Sequence, residues 1–247
     1  MSYPLAPTSP LPTPLTFQQL SQVNLDVPSD FHMHTDYTDG ADSLKRMAAA
    51  VRKQGVDIVL FSEHVRHTST YYDTFLEEVR GLSLEGVTAY SGIETKILDT
   101  EGTLDCSLEV ASSCDGIVAS VHSPPPGLDG TPRGWTGMQP EEALELEYQL
   151  AHAIVTKSGA HILGHPMGMA VTKFNLNPLD HLYRLAVACK VSGTAFELNP
   201  RYCANTDDWL KVVTRAGCSI SFGSDAHRTA DVGRAWRQFN RLDVVGQ

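Results

Sequence analysis

Short apolar runs alternate with longer amphipathic segments from Ser29 onward, and this alternation predicts β-strands separated by helices. The predicted strands are Asp30–His34, Val56–Ser62, Val87–Ile93, Gly116–Val121, His161–Gly164, Thr194–Leu198 and Ser219–Phe222. The predicted helices are Ser43–Gln54, Thr70–Leu82, Pro140–Lys157, Pro178–Val191, Thr206–Arg215 and Ala230–Asn240. Glycine follows several of these helices, at the position where helices often end. Strands joined by helical crossovers indicate parallel βα units, either closed as a barrel or open and doubly wound.

The domain organisation follows from the length of the chain and from the segment after the first predicted strand. HTDYTDG follows the first strand where a dinucleotide-binding sheet carries GxGxxG, which weakens the open alternative. The 247 residues fit one barrel domain, which we expect at residues 29–247. A Pro-rich arm at residues 1–28 precedes it, extended on its surface or disordered, and lacks the features of a signal peptide. The irregular stretch Ser123–Gly137 is either a loop over the site or surface decoration.

Composition excludes several kinds of partner. The formal net charge is -10, with 29 acidic and 19 basic residues and no lysine or arginine block, so we expect no binding to long nucleic acid. No apolar run reaches the roughly 18 residues that a membrane span needs. The five cysteines are an odd number without CxxC spacing, which favours free thiols in a reducing compartment. We therefore expect a cytoplasmic protein, and the sequence leaves its oligomeric state open.

Histidine, aspartate and glutamate are concentrated at the ends of the predicted strands. The candidate site residues are His32, His34, Asp39, His64, Glu94, His122, His165, Asp225 and His227. In a parallel α/β barrel the C-terminal ends of the strands lie on one face, where sites are built. Any one of these histidines alone is more often an ordinary polar residue than a ligand. Nine such residues at successive strand ends indicate a shared site.

The donor types at these positions predict a metal centre. Residues two apart on a strand share a face, so His32 and His34 can reach one ion together while Phe31 and Met33 pack against the helices. The GSDAH segment after the last strand repeats this spacing. Imidazole nitrogen and carboxylate oxygen without thiolate suit Zn, Mn or Fe, and they suit an open hydrolytic site better than a closed structural one.

The ordered motifs are similar to those of one known family. HxH with TDG, then EH, GIE, SVH, GHP and GSDAH resemble the PHP (polymerase and histidinol phosphatase) family, from about residue 30 to about residue 235. The GIETKILDTEGTLD segment is similar to stand-alone PHP phosphoesterases and to the PHP domain of bacterial family X DNA polymerases. The resemblance implies a distorted (β/α)7 barrel with a trinuclear metal site at the C-terminal ends of its strands. It also implies that all nine candidate residues are metal ligands.

The family pattern also implies how the ligands divide among three divalent ions. The first metal would take His32, His34, Glu94 and Asp225, the second Glu94, His122 and His165, and the third Asp39, His64 and His227. Glu94 is the expected bridging ligand, because a carboxylate can bind two ions and a single imidazole nitrogen cannot. Glu94, Asp225 and His227 are the expected catalytic residues.

This ligand set predicts a metal-dependent phosphoesterase. Two divalent metals can share a hydroxide that attacks a small phosphomonoester or phosphodiester in line, while the ions offset the charge of the phosphoryl oxygens. A histidinol-phosphatase-like activity is one specific candidate, by family analogy alone. Two alternatives stay open: an amidohydrolase-like enzyme that cleaves C–N or C–O bonds, and a non-catalytic, metal-stabilised interaction domain.

The expected partner is a small phosphorylated substrate, and a phosphate site also needs fixed cations. Arg201, Arg228 and Lys96 lie close to the motifs and are the preferred substrate-binding candidates. Glu197 and Asn199 lie two apart on one predicted strand, and we expect them to orient ligands rather than to bind metal themselves.

Two further positions bear on the substrate. Packing is the favoured role of the aromatic residues near the motifs, and Trp135, in the irregular stretch, is the best candidate among them for a ligand contact. After GHP, polymerase-associated members of the family often carry an arginine, where this chain has Met169. The substrates of the family therefore do not transfer to this chain by resemblance.

Overall fold

The computed structural model describes residues 27–127 and 129–243, with side chains through residue 240. Residues 1–26, nearly all of the predicted Pro-rich arm, lie outside the described residues, so that prediction stays a prediction. The strands are β1 (Ser29–Asp30), β2 (Ile58–His64), β3 (Thr88–Lys96), β4 (Gly116–Ser120), β5 (Ile162–Leu163), β6 (Ala195–Leu198) and β7 (Ile220–Phe222). The helices are α1 (Leu44–Lys53), α2 (Tyr72–Arg80), α3 (Leu108–Ser113), α4 (Pro140–Ala153), α5 (Gly168–Phe174), α6 (Leu179–Ser192), α7 (Thr206–Ala216) and α8 (Arg234–Asp243). No helix within these ranges is both long and apolar enough to span a membrane.

The seven described strands form one sheet in chain order, and every neighbouring pair is parallel. The sheet curls until its last strand reaches its first. There the Phe31 amide donates to the Phe222 carbonyl at 2.8 Å, and the His34 amide donates to the Ala226 carbonyl at 2.9 Å. This nearly closed arrangement confirms the predicted (β/α)7 barrel and excludes the open, doubly wound alternative.

Two apolar layers hold the barrel together. The interior of the barrel is filled by Phe31, Leu60, Val118, Ile162 and Ala195. A much larger apolar cluster lies between the sheet and the helices, and Met33 belongs to it as expected. The expectation that Phe31 faces the helices is wrong, because the regular pairing of β1 ends at Asp30 and the two-residue alternation does not continue past it.

The structure shifts several predicted boundaries. β2 and β3 continue past their predicted ends, so Glu94 lies within a strand rather than after it. The sequence does not predict α3 and α5, because helices of 6 and 7 residues are too short to show a helical period. α4 continues into a π-helical turn at Ile154–Ser158. Gly159 follows with φ 74°, a left-handed conformation that glycine adopts without strain, and leads the chain toward β5.

Candidate metal centre

Glu94 lies at the middle of the candidate site, near the C-terminal end of β3, and is only 1% exposed. The five histidines nearest its carboxylate are His32, His34, His64, His122 and His165. Glu94 Oε2 lies 2.8 to 3.4 Å from one ring nitrogen of each of the first three. Glu94 Oε1 lies 3.0 and 3.1 Å from the Nε2 atoms of the last two. The two oxygens of one carboxylate therefore face two separate groups of imidazoles.

The three remaining candidates border the same centre on its other side. Asp225 Oδ1 lies 3.3 Å from His34 Nε2 and 3.5 Å from His227 Nδ1. Asp39 Oδ1 lies 3.2 Å from His227 Nε2, while Asp39 Oδ2 lies 3.5 Å from His64 Nε2. The structure therefore brings all nine residues named from the sequence into one cluster at the C-terminal ends of the strands.

Three subsets of these side chains are close enough to share a metal ion, with one ligand atom from each residue within 4.8 Å of the others. The subsets are His34, Asp39, His64 and His227; His32, His34 and Glu94; and His64, Glu94 and His122. They overlap with the three ligand groups implied by the family pattern, but they place His34 and His64 in two subsets each. Which ligands belong to which ion stays a prediction.

Two buried atoms show that the residues fit a metal. His32 and His34 are 0% exposed, and among the described residues neither His32 Nε2 nor His34 Nε2 has a hydrogen-bond partner of good geometry. Burying a polar atom without a hydrogen-bond partner lowers the stability of the folded state. A divalent cation would satisfy both nitrogens together with the Glu94 carboxylate, and nitrogen with oxygen donors suits Zn, Mn or Fe.

The buried carboxylates of the centre lose their protons readily. Burial disfavours the charged form of Glu94, but the charges of His122 and His32 outweigh it and hold the pKa of Glu94 well below its usual range. Burial opposes ionisation of Asp225 as well, yet the nearby His34 ring, with Nε2 3.3 Å from Asp225 Oδ1, and the His32 charge lower the pKa of that carboxyl. Both carboxylates are therefore anionic at neutral pH.

Glu197, on β6, contacts the ring of one of these histidines and the backbone of another. Its Oε1 lies 2.7 Å from His32 Nδ1, which leaves His32 Nε2 facing the centre, and its Oε2 accepts the His165 backbone N–H at 2.5 Å. The role expected for Glu197 therefore has the geometry it requires. Gly223 makes room for it, because a Cβ at position 223 would lie 1.8 Å from Glu197 Oε1. The glycine of GSDAH is thus required by space.

Replacing Glu197 with glutamine should weaken metal binding by about 10–100-fold, the usual cost of losing a group that orients a metal ligand. An amide cannot accept the His32 and His165 contacts as a carboxylate does, so the His32 ring loses its fixed direction. Competition with a fluorescent chelator measures the affinity. The exposed Glu77 serves as the matched control, and equal affinities for Glu197→Gln and Glu77→Gln would contradict the role.

Glu63 is a buried carboxylate that sequence reasoning missed. Its Oε1 accepts both the backbone N–H and the hydroxyl of Thr35 at 2.5 Å, and its Oε2 accepts the Thr38 hydroxyl. These bonds shape the turn that carries Asp39. Gly40 completes the turn, because a Cβ there would lie 2.7 Å from the Thr35 backbone. The sequence feature that could have identified Glu63 is the SEH segment. Glu63 directly precedes His64 there, so the two side chains lie on opposite faces of the strand.

Glu147, on α4, is a second missed carboxylate and is 1% exposed. Its oxygens accept the backbone N–H groups of Met169 and Ala170 at 2.8 and 2.7 Å, in the first turn of α5. Just before this turn His165 and Met167 have φ values of 24° and 59°, which are strained for residues with a Cβ. Glu147 therefore fastens the segment that carries His165.

Glu147→Gln should remove a pH dependence of stability. Burial raises the pKa of Glu147 to about 7, despite the two backbone hydrogen bonds that favour its charged form. Its proton is held more tightly in the folded state, so its contribution favours folding below about pH 4.5 and is lost as pH rises through about 7. The expected loss is about 3 kcal/mol. Urea unfolding of wild type and variant at about pH 5, 6 and 8 measures it.

The exposed Glu141, in the first turn of the same helix, provides the matched control for that experiment. Glu141→Gln should keep the wild-type dependence on pH, whereas Glu147→Gln should give a flatter profile, because glutamine does not ionise. Wild-type and Glu147→Gln profiles that stay parallel across this range would show that Glu147 does not cause the dependence.

Comparison with known proteins places the fold and the cluster in a family. A family model described as the PHP domain matches residues 30–223. The chain belongs to the PHP family. The DNA polymerase/3'-5' exonuclease PolX of Bacillus subtilis is 26% identical over 216 residues, which are 81% of this chain and 34% of that protein. This chain therefore spans about a third of the length of PolX. A probable phosphatase of Enterobacter sp. is 26% identical over 231 residues, covering 89% of this chain and 86% of that protein.

A solved structure shows the same fold. The histidinol phosphate phosphatase of Lactococcus lactis, in complex with zinc, L-histidinol and phosphate, aligns with a TM-score of 0.64 and 16% sequence identity. The alignment covers 87% of this chain and 92% of that chain. At this identity the likeness supports the barrel of the PHP domain and does not identify its substrate.

The cleft above the cluster in this PHP domain has a volume of about 670 Å³. Arg201 lines it, with Nη1 3.3 Å from Asp225 Oδ2, and Asn199 Oδ1 accepts the Arg201 backbone N–H at 3.1 Å. Asn199 thus shapes the turn that presents this arginine. Tyr202, which sequence reasoning missed, donates its hydroxyl to the same Asp225 oxygen at 3.0 Å, and its ring centroid lies 4.6 Å from that of His165.

The other two predicted substrate-binding residues of the PHP domain, Lys96 and Arg228, lie in different cavities. Lys96 lines the cleft, and its Nζ lies 3.8 Å from Asp105 Oδ2. The other oxygen of Asp105 lies 2.5 Å from His67 Nδ1. Arg228 lines an adjoining pocket rather than the cleft itself. Of the three cations, only Arg201 borders both cavities.

Trp135 anchors the irregular stretch of the PHP domain. It is 6% exposed, packs in the apolar cluster beneath the helices, and donates its indole N–H to the His122 backbone carbonyl at 3.0 Å. It is absent from the lining of the cleft, which favours the packing interpretation. Tyr71 and Tyr202 are the aromatic residues that border the cleft.

Proposed function

We propose that this PHP domain is a metal-dependent phosphoesterase that hydrolyses a small phosphate ester. The observation that carries the proposal is the Glu94 carboxylate, whose two oxygens face two groups of imidazoles across a buried centre. The name of the Enterobacter relative and the zinc and phosphate in the L. lactis neighbour support it. The open cleft of about 670 Å³ is large enough for a small ester.

The proposal assigns three divalent ions, Mn, Zn or Fe, to the nine clustered residues. The assignments are His32, His34, Glu94 and Asp225; Glu94, His122 and His165; and Asp39, His64 and His227. Bound there, such ions would lower the pKa of a coordinated water toward about 7 and offset charge on phosphoryl oxygens. Glu94 would contribute to both of the first two groups, because its two oxygens face different histidines.

The side chains at the rim of the cleft act on the ester itself. Asp225 and His227 border the cleft, so they face a bound substrate as well as the centre. Lys96 and Arg201 place two cations around the same space, where they attract and hold a phosphate group. Tyr202 and Arg201 both contact Asp225 Oδ2, which leaves Asp225 Oδ1 directed to His34 and His227.

Hydrolysis of p-nitrophenyl phosphate and bis-p-nitrophenyl phosphate tests the proposal. Assays contain added Mn²⁺, Zn²⁺ or Fe²⁺, with an EDTA-treated sample as the control. We expect turnover that EDTA abolishes and metal restores, and the ratio of the two rates separates a monoesterase from a diesterase. Failure to cleave either ester with full metal content would reject the function. Cleavage of amide substrates would then favour the amidohydrolase-like alternative. Absence of any hydrolysis would favour the non-catalytic interaction domain.

A further inference from the structure

A second pocket of about 620 Å³ opens directly beside the metal cleft. The two cavities share the lining residues Asp39, Arg201, Asp225 and His227. The second pocket adds Arg228, Asp231 and Arg234, which lie between β7 and the first turn of α8. We call these seven residues the arginine pocket. A molecule held at the metal centre can extend into the arginine pocket without leaving the protein surface.

Arg228 and Arg234 share a single carboxylate in the arginine pocket. Two of its acidic residues, Asp39 and Asp225, are directed to the histidines of the metal centre. Asp231 is the remaining acid of its lining, and it pairs with Arg228 Nε at 3.5 Å and with Arg234 Nη1 at 3.3 Å. Arg201 is paired with Asp225 Oδ2 at 3.3 Å, so it is the guanidinium groups of Arg228 and Arg234 that have one carboxylate of the lining between them.

The arginines keep donors that a ligand can use. A guanidinium carries five N–H donors, and one ion pair engages only part of them. The Arg228 side chain is 69% exposed and the Arg234 side chain 39% exposed, so solvent and small molecules reach both. Asp231 holds the two side chains on either side of its own carboxylate. Planar guanidinium forks of this kind bind carboxylate and phosphate oxygens in pairs.

We propose that the arginine pocket binds a second anionic group, a carboxylate or a phosphate, of the ester whose phosphate lies at the metal centre. This inference rests on the proposed function, because it describes the remainder of the same substrate. Like charge disfavours a cationic remainder at this position. L-Histidinol phosphate carries an ammonium group on its remainder, so it is a poor substrate of this PHP domain, even though the L. lactis neighbour is named for it.

Four aryl phosphates that differ in one para substituent test the inference on the metal-loaded protein. They are 4-carboxyphenyl phosphate, 1,4-phenylene bisphosphate, the neutral 4-carbamoylphenyl phosphate and the cationic 4-(aminomethyl)phenyl phosphate. We expect kcat/KM for at least one anionic ester to exceed that for the neutral ester by about tenfold or more, as charged hydrogen bonds permit. The cationic ester should be the slowest. Comparison of the first two shows whether a carboxylate or a phosphate is preferred.

Arg228→Gln and Arg234→Gln should each reduce the preference to within about threefold of the neutral ester, chiefly through a higher KM for the anionic esters. Arg228 is the more exposed of the two, so its variant decides the test if Arg234→Gln fails to fold. Arg52 supplies the matched control. It lies in the last turn of α1, borders neither cavity and has its Nη2 3.9 Å from Glu85 Oε2, so Arg52→Gln should keep the wild-type preference.

The outcomes separate this inference from the proposed function. An unchanged preference in Arg228→Gln, or a cationic ester that is hydrolysed as fast as the anionic ones, would overturn the inference while phosphoesterase activity stands. Hydrolysis of p-nitrophenyl phosphate without hydrolysis of any of the four esters would do the same. Failure to hydrolyse p-nitrophenyl phosphate as well would reject the proposed function, and the inference with it.

Discussion

Glu94→Gln should lower phosphoester hydrolysis by more than about 10³-fold, beyond the cost of losing a single electrostatic contact at an active site. The substitution keeps the size of the side chain and removes the charge that faces five histidines in two groups. An amide cannot bridge two ions, so the protein should also lose metal. Steady-state kinetics and elemental analysis of the purified variant measure both effects.

The matched control is Glu85→Gln, at a position that is 94% exposed and distant from the centre. It should keep activity and metal content at wild-type values. Circular dichroism of Glu94→Gln shows whether the fold is retained, so that loss of activity is not mistaken for loss of structure. A folded Glu94→Gln protein that holds its full complement of metal and turns over the ester would remove Glu94 from the central role.

Removal of metal should lower the melting temperature by about 8–16 °C, since one site filled at a thousand times its Kd adds about 4 kcal/mol and a domain of this size shifts by about 2–4 °C per kcal/mol. The stabilisation arises because the ligands come together only in the folded barrel, where strand ends far apart in sequence meet. Scanning calorimetry with added Mn²⁺ or Zn²⁺, and again after EDTA, measures the shift.

Glu94→Gln provides an internal control, because a variant with impaired metal binding should respond to EDTA by a smaller shift than wild type. Elemental analysis confirms that EDTA has stripped the ions. An unchanged melting temperature in fully stripped wild-type protein would count against a metal cluster that is integral to the fold, and would leave the buried His32 and His34 nitrogens without an explanation.

Much of the barrel and of its site is predictable from the sequence because both follow from simple periodicities. Strands separated by helices can be read from apolar runs, and parallel strands place their C-terminal ends together. His32 and His34 at a two-residue spacing, and His122 and His165 directly after apolar runs, therefore indicate a shared centre before any coordinates are known. The structure brings these residues together as expected.

The rest of the site depends on contacts that no local pattern encodes. Glu147 lies in a helix segment rich in acidic residues, where an exposed side chain is the ordinary expectation, and only packing against α5 buries it. Tyr202 reaches Asp225 because the turn after β6 folds back over the cleft. The prediction that Phe31 faces the helices is wrong for a related reason. The regular strand ends one residue before it, so the alternation of side chains between the two faces is lost.

The closure of the barrel sets the order in which the centre can be assembled during protein synthesis. His32 and His34 leave the ribosome early, but Asp225 and His227 follow the last strand, and the Phe31 to Phe222 contact that joins the two ends requires both. Such contacts between distant parts of a chain form slowly, because a long loop must close first. A nascent chain thus exposes imidazoles before the barrel can close, and the nine residues of the cluster can come together only at the end of folding.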